Sequence, residues 1–312
     1  MDKIDVAIIR ELTQGGLILP GKPGVTPSYR EVAKKVMIPF GTVRNRINTM
    51  YKLGVLKGSS LYPNPNLFGL MAAAYTTHVP AELDKAQVFQ KLKEFEGLLS
   101  AHDFLGRMAW ITFVFRDEQD LNKKLAALKM IAGPDGTLSR IPFPPCPSSL
   151  SQSEALLMLQ LSTKELVSFA RLAKSLNMST RSLLRKMTKF AQENMILSIP
   201  KIDYSAMAGT VPADLLVFFA DDRARTAAEP KVLELVKDYL VFGALFDVVG
   251  MCSVILPNAV LLKQISERVR QIDGVRQSYI EVVVEHVHRP KFLIECLERY
   301  IQVTSKLTAE PI

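Results

Sequence analysis

One stretch of this sequence occurs twice, 140 residues apart, and that restricts the chain to folds built from two like halves. Val32-Ala33-Lys34-Lys35-Val36-Met37-Ile38 lies over Leu172-Ala173-Lys174-Ser175-Leu176-Asn177-Met178. The register continues without a gap through Val43/Leu183, Ile47/Met187, Met50/Phe190 and Leu56/Ile196. Whatever one copy does, the chain is equipped to do twice.

Each copy reads as three short helices and an extended tail. In the first, Ile4, Ile8, Ile9 and Leu12 form an apolar stripe on a helix over Asp2–Leu12. Gly15-Gly16 is expected to stop it, and Pro20, Gly21, Pro23, Gly24 and Pro27 keep the next stretch in a loop. Ser28 with Glu31 three residues later is a capping box for a second helix ending near Val36. A third runs from Phe40 to Lys52 and closes at Gly54. The second copy repeats this plan with a helix over Gln152–Leu161, a capping box at Ser162 and Glu165, and Ser179 opening the third helix, which ends at Asn194.

About a hundred residues of a different texture follow each copy. After the first, strands at Leu70–Val79, Leu98–Phe104, Met108–Phe115 and Thr137–Phe143 alternate with helices at Asp84–Phe95 and Asp120–Ile131. After the second, strands at Asp214–Ala220, Val241–Val249, Cys252–Leu256 and Arg276–His286 alternate with helices at Lys231–Tyr239 and Val260–Ile272. This β-α-β-β-α-β order is the ferredoxin-like plan. The chain is therefore an α+β protein of two tandem repeats, each a winged helix-turn-helix followed by a ferredoxin-like module. The units fall at residues 1–60, 61–146, 147–200 and 201–312, the last with an extra helix over Lys291–Lys306. Four prolines between Ile141 and Ser149 make a stiff connector between the halves.

Charge separates the two textures. Residues 1–60 hold ten Lys/Arg against four Asp/Glu, and residues 151–200 hold seven against three. The remainder is slightly acidic, so the whole excess of positive charge sits on the repeated helical units, as expected of a nucleic-acid footprint. With Val43, Ile47, Met50 and their repeats facing the core, the third helices would enter the major groove with the opposite face. The residues expected to meet DNA are Thr42, Arg44, Asn45, Arg46 and Asn48, and Arg181, Ser182, Arg185, Lys186 and Lys189. Arg suits guanine, Asn suits adenine, and Lys meets phosphate.

Val32-Ala33-Lys34-Lys35-Val36, Thr42-Val43-Arg44-Asn45-Arg46-Ile47, Leu53-Gly54-Val55-Leu56-Lys57-Gly58 and Asn64-Pro65-Asn66-Leu67-Phe68-Gly69 resemble the Lrp/AsnC (feast/famine) transcriptional regulators. The resemblance spans the whole chain taken twice, most specifically residues 29–69. It implies sequence-specific binding of double-stranded DNA, dimerisation through the ferredoxin-like sheets and an amino-acid-like effector. The implied effector residues are Asp103 and Gly106, with Asp247 and Gly250, although here Asp precedes Gly where the family typically has Gly first. The sequence departs further in Pro39, where the recognition helix ordinarily has a polar cap, and in its tandem arrangement, which lets one chain form a pseudo-dimer.

Other chemistries find little support. The three cysteines lack CxxC spacing, and no phosphate loop, Gly-x-Ser-x-Gly or His-Glu-x-x-His occurs. His286 and His288, two apart on a strand, would need a third metal ligand such as His102 or Cys252, so no metal and no cofactor is expected. Siroheme decarboxylases resemble the same two-domain family, but the four histidines show no clustering in the β-rich modules. The expectation is therefore a regulator and not an enzyme. A tetrapyrrole enzyme, or a scaffold whose second unit has lost DNA contact, are the alternatives. No secretion signal or membrane span is read, so a cytoplasmic site is expected.

Overall fold

The computed structural model describes residues 1–12, 28–147, 149–163 and 169–309. The Gly15-Gly16 helix stop, the loop to Pro27 and the Glu165 half of the second capping box lie outside the described residues. In chain order the first half contains α1 (Lys3–Leu12), α2 (Tyr29–Val36), α3 (Phe40–Lys52), β1 (Leu56–Pro63), β2 (Met71–His78), α4 (Lys85–Lys93), β3 (Leu98–Phe104), β4 (Met108–Phe115), α5 (Glu118–Ala132) and β5 (Gly136–Ile141). The second half contains α6 (Gln152–Thr163), α7 (Phe169–Ser175), α8 (Thr180–Gln192), β6 (Ile196–Ile202), β7 (Val211–Phe219), α9 (Asp222–Val236), β8 (Leu240–Ala244), β9 (Val249–Leu256), α10 (Ala259–Arg270) and β10 (Val275–His288). A last helix, α11 (Lys291–Ala309), has no partner in the first half.

Both β-rich modules form antiparallel sheets, and the two sheets are one. The strand order is β5-β2-β4-β3-β10-β7-β9-β8, so each module contributes four strands and the modules join where β3 meets β10. β10 is long enough to serve both. Val275 to Val282 pair with β7, a bulge follows near Val283, and Val283 to His288 pair with β3. The corresponding strand of the first module cannot do the same. β5 was expected to reach Phe143 but stops at Ile141, because Pro142, Pro144 and Pro145 bring no backbone N–H to a ladder. The open seam is instead bridged where Ser139 Oγ donates to Val249 O at 3.3 Å and the Arg140 N–H donates to Asp247 Oδ2 at 2.9 Å. The sheet thus curls until β5 approaches the start of β9, and only the β3–β10 seam is closed by a ladder.

Side-chain alternation sorts the core into layers. Ala73, Tyr75, Ala101, Ile111 and Phe113 pack beneath α4 and α5. Leu215, Val217, Cys252 and Val254 pack with Val232 and Val269 of α9 and α10. Side chains on the opposite face fill the inside of the curl, among them Ala74, Phe104, Trp110, Leu216 and Met251. Phe292 and Leu293 of α11 join this interior. β4 and β9 are buried along their full length because they lie between neighbours and are covered on both faces.

Several boundaries differ from the sequence reading. α9 begins at Asp222 with Asp221 as cap and continues through Pro230, which had been expected to stand ahead of the helix. Its apolar residues Ala228, Val232 and Val236 supply the burial that carries the helix across the missing N–H. β8 ends at Ala244 and β9 starts at Val249, so Gly250 lies inside a strand and not in the loop before it. Ser162 lies in the last turn of α6. The described part of α11 packs against the chain itself. Leu297 is buried against the second helical unit, and the Tyr300 hydroxyl bonds both the N–H and the carbonyl of Leu150 at 3.0 and 2.8 Å.

Candidate nucleic-acid interface

The two helical units build the same scaffold with different means. In the first, Ser28 and Glu31 close a reciprocal capping box, at 2.7 Å from the Ser28 N–H and 3.3 Å from the Glu31 N–H, and fix the start of α2. Met37 turns the chain from α2 to α3 in the left-handed region at φ 55°, and its repeat Asn177 does the same at φ 51°. Asn tolerates that region and Met does not, so the first unit holds a strained turn. Pro39 precedes α3 without a side-chain capping bond, whereas Ser179 accepts from the Ser182 N–H at 3.1 Å at the head of α8. Gly54 at φ 76° and Asn194 at φ 55° end the two third helices.

The inward faces are as the spacing predicted. Val43, Ile47 and Met50 are buried, as are Leu183 and Phe190, with Met187 packed beside them. On the outward faces Thr42, Arg44, Asn45 and Asn48 are exposed in the first unit, and Arg181 and Arg185 in the second. Ser182 is half-buried. The described ion pairs hold neither Arg44, Arg181 nor Arg185.

Three of the ten expected DNA contacts have another occupation. Arg46 reaches back to α1, where its Nη1 meets both Asp2 oxygens at 2.9 Å and Asp5 Oδ1 at 2.8 Å. Lys189 meets Glu154 Oε1 at 2.9 Å, and Lys186 donates to Ser153 Oγ at 3.1 Å. Burial by itself would raise the Glu154 carboxyl. Bonds from Lys189 and Ser151 outweigh it and hold that carboxyl down at about 2. Arg46 and Lys186 are repeats of each other, so both copies brace their third helix to the first turn of their first helix. In this structure these side chains tie the third helix to the first.

A two-stranded ribbon joins the units. β1 pairs antiparallel with β6, and at its centre Ser59 lies opposite Pro200 and Ser60 opposite Ile199. Since Ser59 repeats as Ile199 and Ser60 as Pro200, the pairing at the centre of the ribbon is symmetric between the copies. Each unit is anchored beyond the ribbon as well. α1 lies against the second module through Val241 and Ile255, Lys3 meets Asp238 at 3.0 Å, and Arg10 donates to Lys237 O at 2.6 Å. The second unit is held by α11 and by Asn64, which is fully buried. Asn64 Nδ2 donates to Pro144 O and Asn194 O, each at 2.8 Å, so the stiff connector is pinned by the segment that joins the first unit to its module.

The expected effector residues are turned to internal contacts. Asp103 pairs with Lys85 at 2.7 Å, and Lys85 also donates to the carbonyls of Phe104 and Gly106 at 2.5 Å. A Cβ on Gly106 would sit 2.7 Å from Glu281 Oε2, and one on Gly250 would sit 2.1 Å from Leu245 Cδ2. Asp247 accepts from the N–H groups of Arg140 and Val248. The two aspartates therefore mark opposite seams of the curled sheet.

One constellation escaped the sequence reading. His102, His286 and His288 meet inside the curl, with ring centroids 4.2 Å apart for the first pair and 6.1 Å for the second. His102 Nδ1 lies 2.6 Å from the buried Asp214 Oδ2, and the His288 ring is 5.2 Å from that of Tyr62. Burial pushes the His286 and His288 imidazoles below their ordinary range, His288 to about 4. The expectation that the histidines do not cluster is therefore wrong, because β10 crosses to β3 and sets His286 opposite His102. Cys252, offered as a third metal ligand, lies on the helix-covered face. Among the described residues no group of three or more His, Cys, Asp or Glu is set to hold a metal ion, and no helix is long and apolar enough to cross a membrane.

No family model matches the chain. Over 135 residues, 42% of its length, it is 30% identical to an uncharacterized HTH-type transcriptional regulator of Pyrococcus abyssi and covers 81% of that protein. Over 127 residues it is 27% identical to the HTH-type transcriptional regulator Ptr1 of Methanocaldococcus jannaschii, covering 80% of it. A relative of this kind thus accounts for less than half of the chain. Among solved structures, the siroheme decarboxylase NirDL aligns with 99% of this chain and 100% of its own, at 13% identity and a TM-score of 0.54, a likeness of fold.

Proposed function

Because the chain belongs to the HTH-type transcriptional regulators, in the Lrp/AsnC-like group its motifs resemble, we propose that it binds double-stranded DNA with both heads at once and has no catalytic activity of its own. The observation that carries this reading is the ribbon of β1 and β6. It joins the two helical units through a pairing that is symmetric between the copies at its centre, as would suit paired half-sites on a duplex. Half-sites about one helical turn or a multiple apart, roughly 34 Å or more, suit such an arrangement. The module contact that two chains would otherwise make is made within one chain, so any further homodimer uses another surface. An amino-acid-like effector at the Asp103 or Asp247 loop would act on a seam of the sheet. At Asp103 its amine would compete with Lys85.

The test is selection of genomic DNA fragments by the purified chain at two salt concentrations. The expected result is enrichment of sites with two spaced halves, with affinity falling steeply as salt rises because Lys/Arg contacts release counterions. The variants Arg44→Ala and Arg185→Ala should each weaken binding by about tenfold, the loss of a good base contact. Loss at Arg44→Ala but none at Arg185→Ala would point to a scaffold-like second head. Binding that is flat with salt would overturn the reading.

A second reading is favoured by the histidine cluster together with the NirDL-like fold, namely a siroheme-decarboxylase-like tetrapyrrole enzyme. Against it, the three imidazoles pack at tilted angles against one another, Tyr62 and Phe104, and His102 is engaged by Asp214. An absorbance titration with iron porphyrin separates the two. A saturable shift of the porphyrin band that His286→Ala abolishes would support the enzyme.

A further inference from the structure

The two reading faces differ chemically although their scaffolds are related by symmetry. Taken at the 140-residue offset, Thr42 corresponds to Ser182, Arg44 to Leu184, Asn45 to Arg185 and Asn48 to Thr188. All of these are exposed except the half-buried Ser182. In an assembly of identical subunits the two faces would be the same, and the preferred site would be a palindrome. Here only the hydroxyl position is kept. Where the first head offers a guanidinium the second offers an aliphatic side chain, and where the first offers a carboxamide the second offers a guanidinium.

Base edges discriminate among these groups. An Arg fork fits guanine O6 and N7, an Asn amide fits adenine N6 and N7, and an apolar group suits the thymine methyl. Arg181, whose repeat is Gly41, adds a second guanidinium to the second head alone. The braces reinforce the difference by spending cations. Lys186 and Lys189 are turned to Ser153 and Glu154, so Arg181 and Arg185 are the cations left exposed on α8.

Resting on the two-headed reading above, we propose that the DNA ligand is a duplex whose halves are arranged as an inverted repeat but differ in sequence, bound in one orientation only. The half under α3 carries adenine and guanine contacts for Asn45, Asn48 and Arg44. The half under α8 carries guanine for Arg185 and a thymine methyl for Leu184. The site has a direction, and the bound chain therefore has one too, with the connector and α11 lying toward the second half.

The experiment is selection of the intact chain on a random duplex pool, followed by titration on three duplexes. One carries the selected site, and the other two are palindromes made by duplicating either half. The selected site should bind at least tenfold more tightly than either palindrome, because each palindrome puts wrong base pairs under one head. A second chain, Leu184→Arg with Arg185→Asn and Thr188→Asn, copies the first face onto the second at exposed positions. It should shift preference by a similar factor to the palindrome made from the first half. A palindrome recovered in the first selection, or an unchanged preference in the copied-face chain, overturns the proposal and leaves DNA binding standing. Enrichment of no sequence overturns the DNA reading and this proposal together.

Discussion

Replacing His288 with Phe should remove much of the chain's sensitivity to mild acid. The ring sits inside the curl beside Tyr62 of β1, faces His286 of its own strand and His102 of β3, and both its nitrogens are shielded with no hydrogen-bond partner among the described residues. Asp214, on β7, is engaged by His102, and Lys201 of β6 adds positive potential. Burial first, then His102 and Lys201, lower the imidazole from 6.5 to about 4. The folded chain therefore takes up this proton less readily than the unfolded chain. Above pH 6.5 the group has no linked effect, and below it stability falls until the folded value is reached. Each pH unit in that window costs about 1.4 kcal/mol, so His288 alone accounts for about 2 kcal/mol between pH 6.5 and 5. His286 is shifted in the same direction and adds to the loss. Urea unfolding followed by Trp110, the one tryptophan, reads this directly because its ring lies in the same interior. Stability should drop between pH 7 and 5, and in His288→Phe the drop should be smaller by about 2 kcal/mol. Equal drops in the two proteins would refute the reasoning.

Four further outcomes are expected. Glu154→Gln removes the partner of Lys189 and should cost about 1–2 kcal/mol at neutral pH by chemical denaturation, while strengthening non-specific DNA binding at low salt through the freed lysines. That stabilisation is present above the ordinary carboxylate value of 4.5 and is lost as pH falls through about 2, so it should not contribute to the acid drop above. Met37→Gly relieves a left-handed residue that is 88% exposed and should raise stability by about 0.5–1 kcal/mol, seen as a higher thermal midpoint. Asn64→Asp turns a donor to two carbonyls into an acceptor and should cost about 2–4 kcal/mol, read in the same assay. In hydrogen exchange, amides along 283–288 should be protected more than the alternate amides along 136–141 that face away from β2, since only one seam is laddered.

Much of this architecture was legible because its signals are local. The apolar periodicity of α3 and α8 and the capping residues Ser28 and Ser179 are set within a few residues, and the repeat doubled each observation. What escaped was set by contacts distant in sequence. A strand read over Arg276–His286 does not say that its end will leave β7 for β3, and without that crossing the histidines stay apart. A helix was read only from Lys231, yet α9 starts at Asp222 and runs through Pro230, with Val232 and Val236 buried. Arg46, Lys186 and Lys189 lie on the same helices as Arg44, Arg181 and Arg185, and only the docking of α1 and α6 gives them intramolecular partners. The sequence pattern thus located the third helices, but not the partners of their charged side chains.

The ribbon of β1 and β6 also sets how the protein responds to its own abundance. Two subunits that must find each other before binding lose their pairing on dilution, and occupancy then rises as a higher power of concentration. Here the partner is covalently attached, and its effective concentration stays in the range of millimolar however few molecules are present. Occupancy of a site should therefore follow a simple hyperbola in protein concentration, with no threshold below which the heads come apart. On the proposed two-headed binding, a handful of molecules would act with the same cooperation between heads as a thousand.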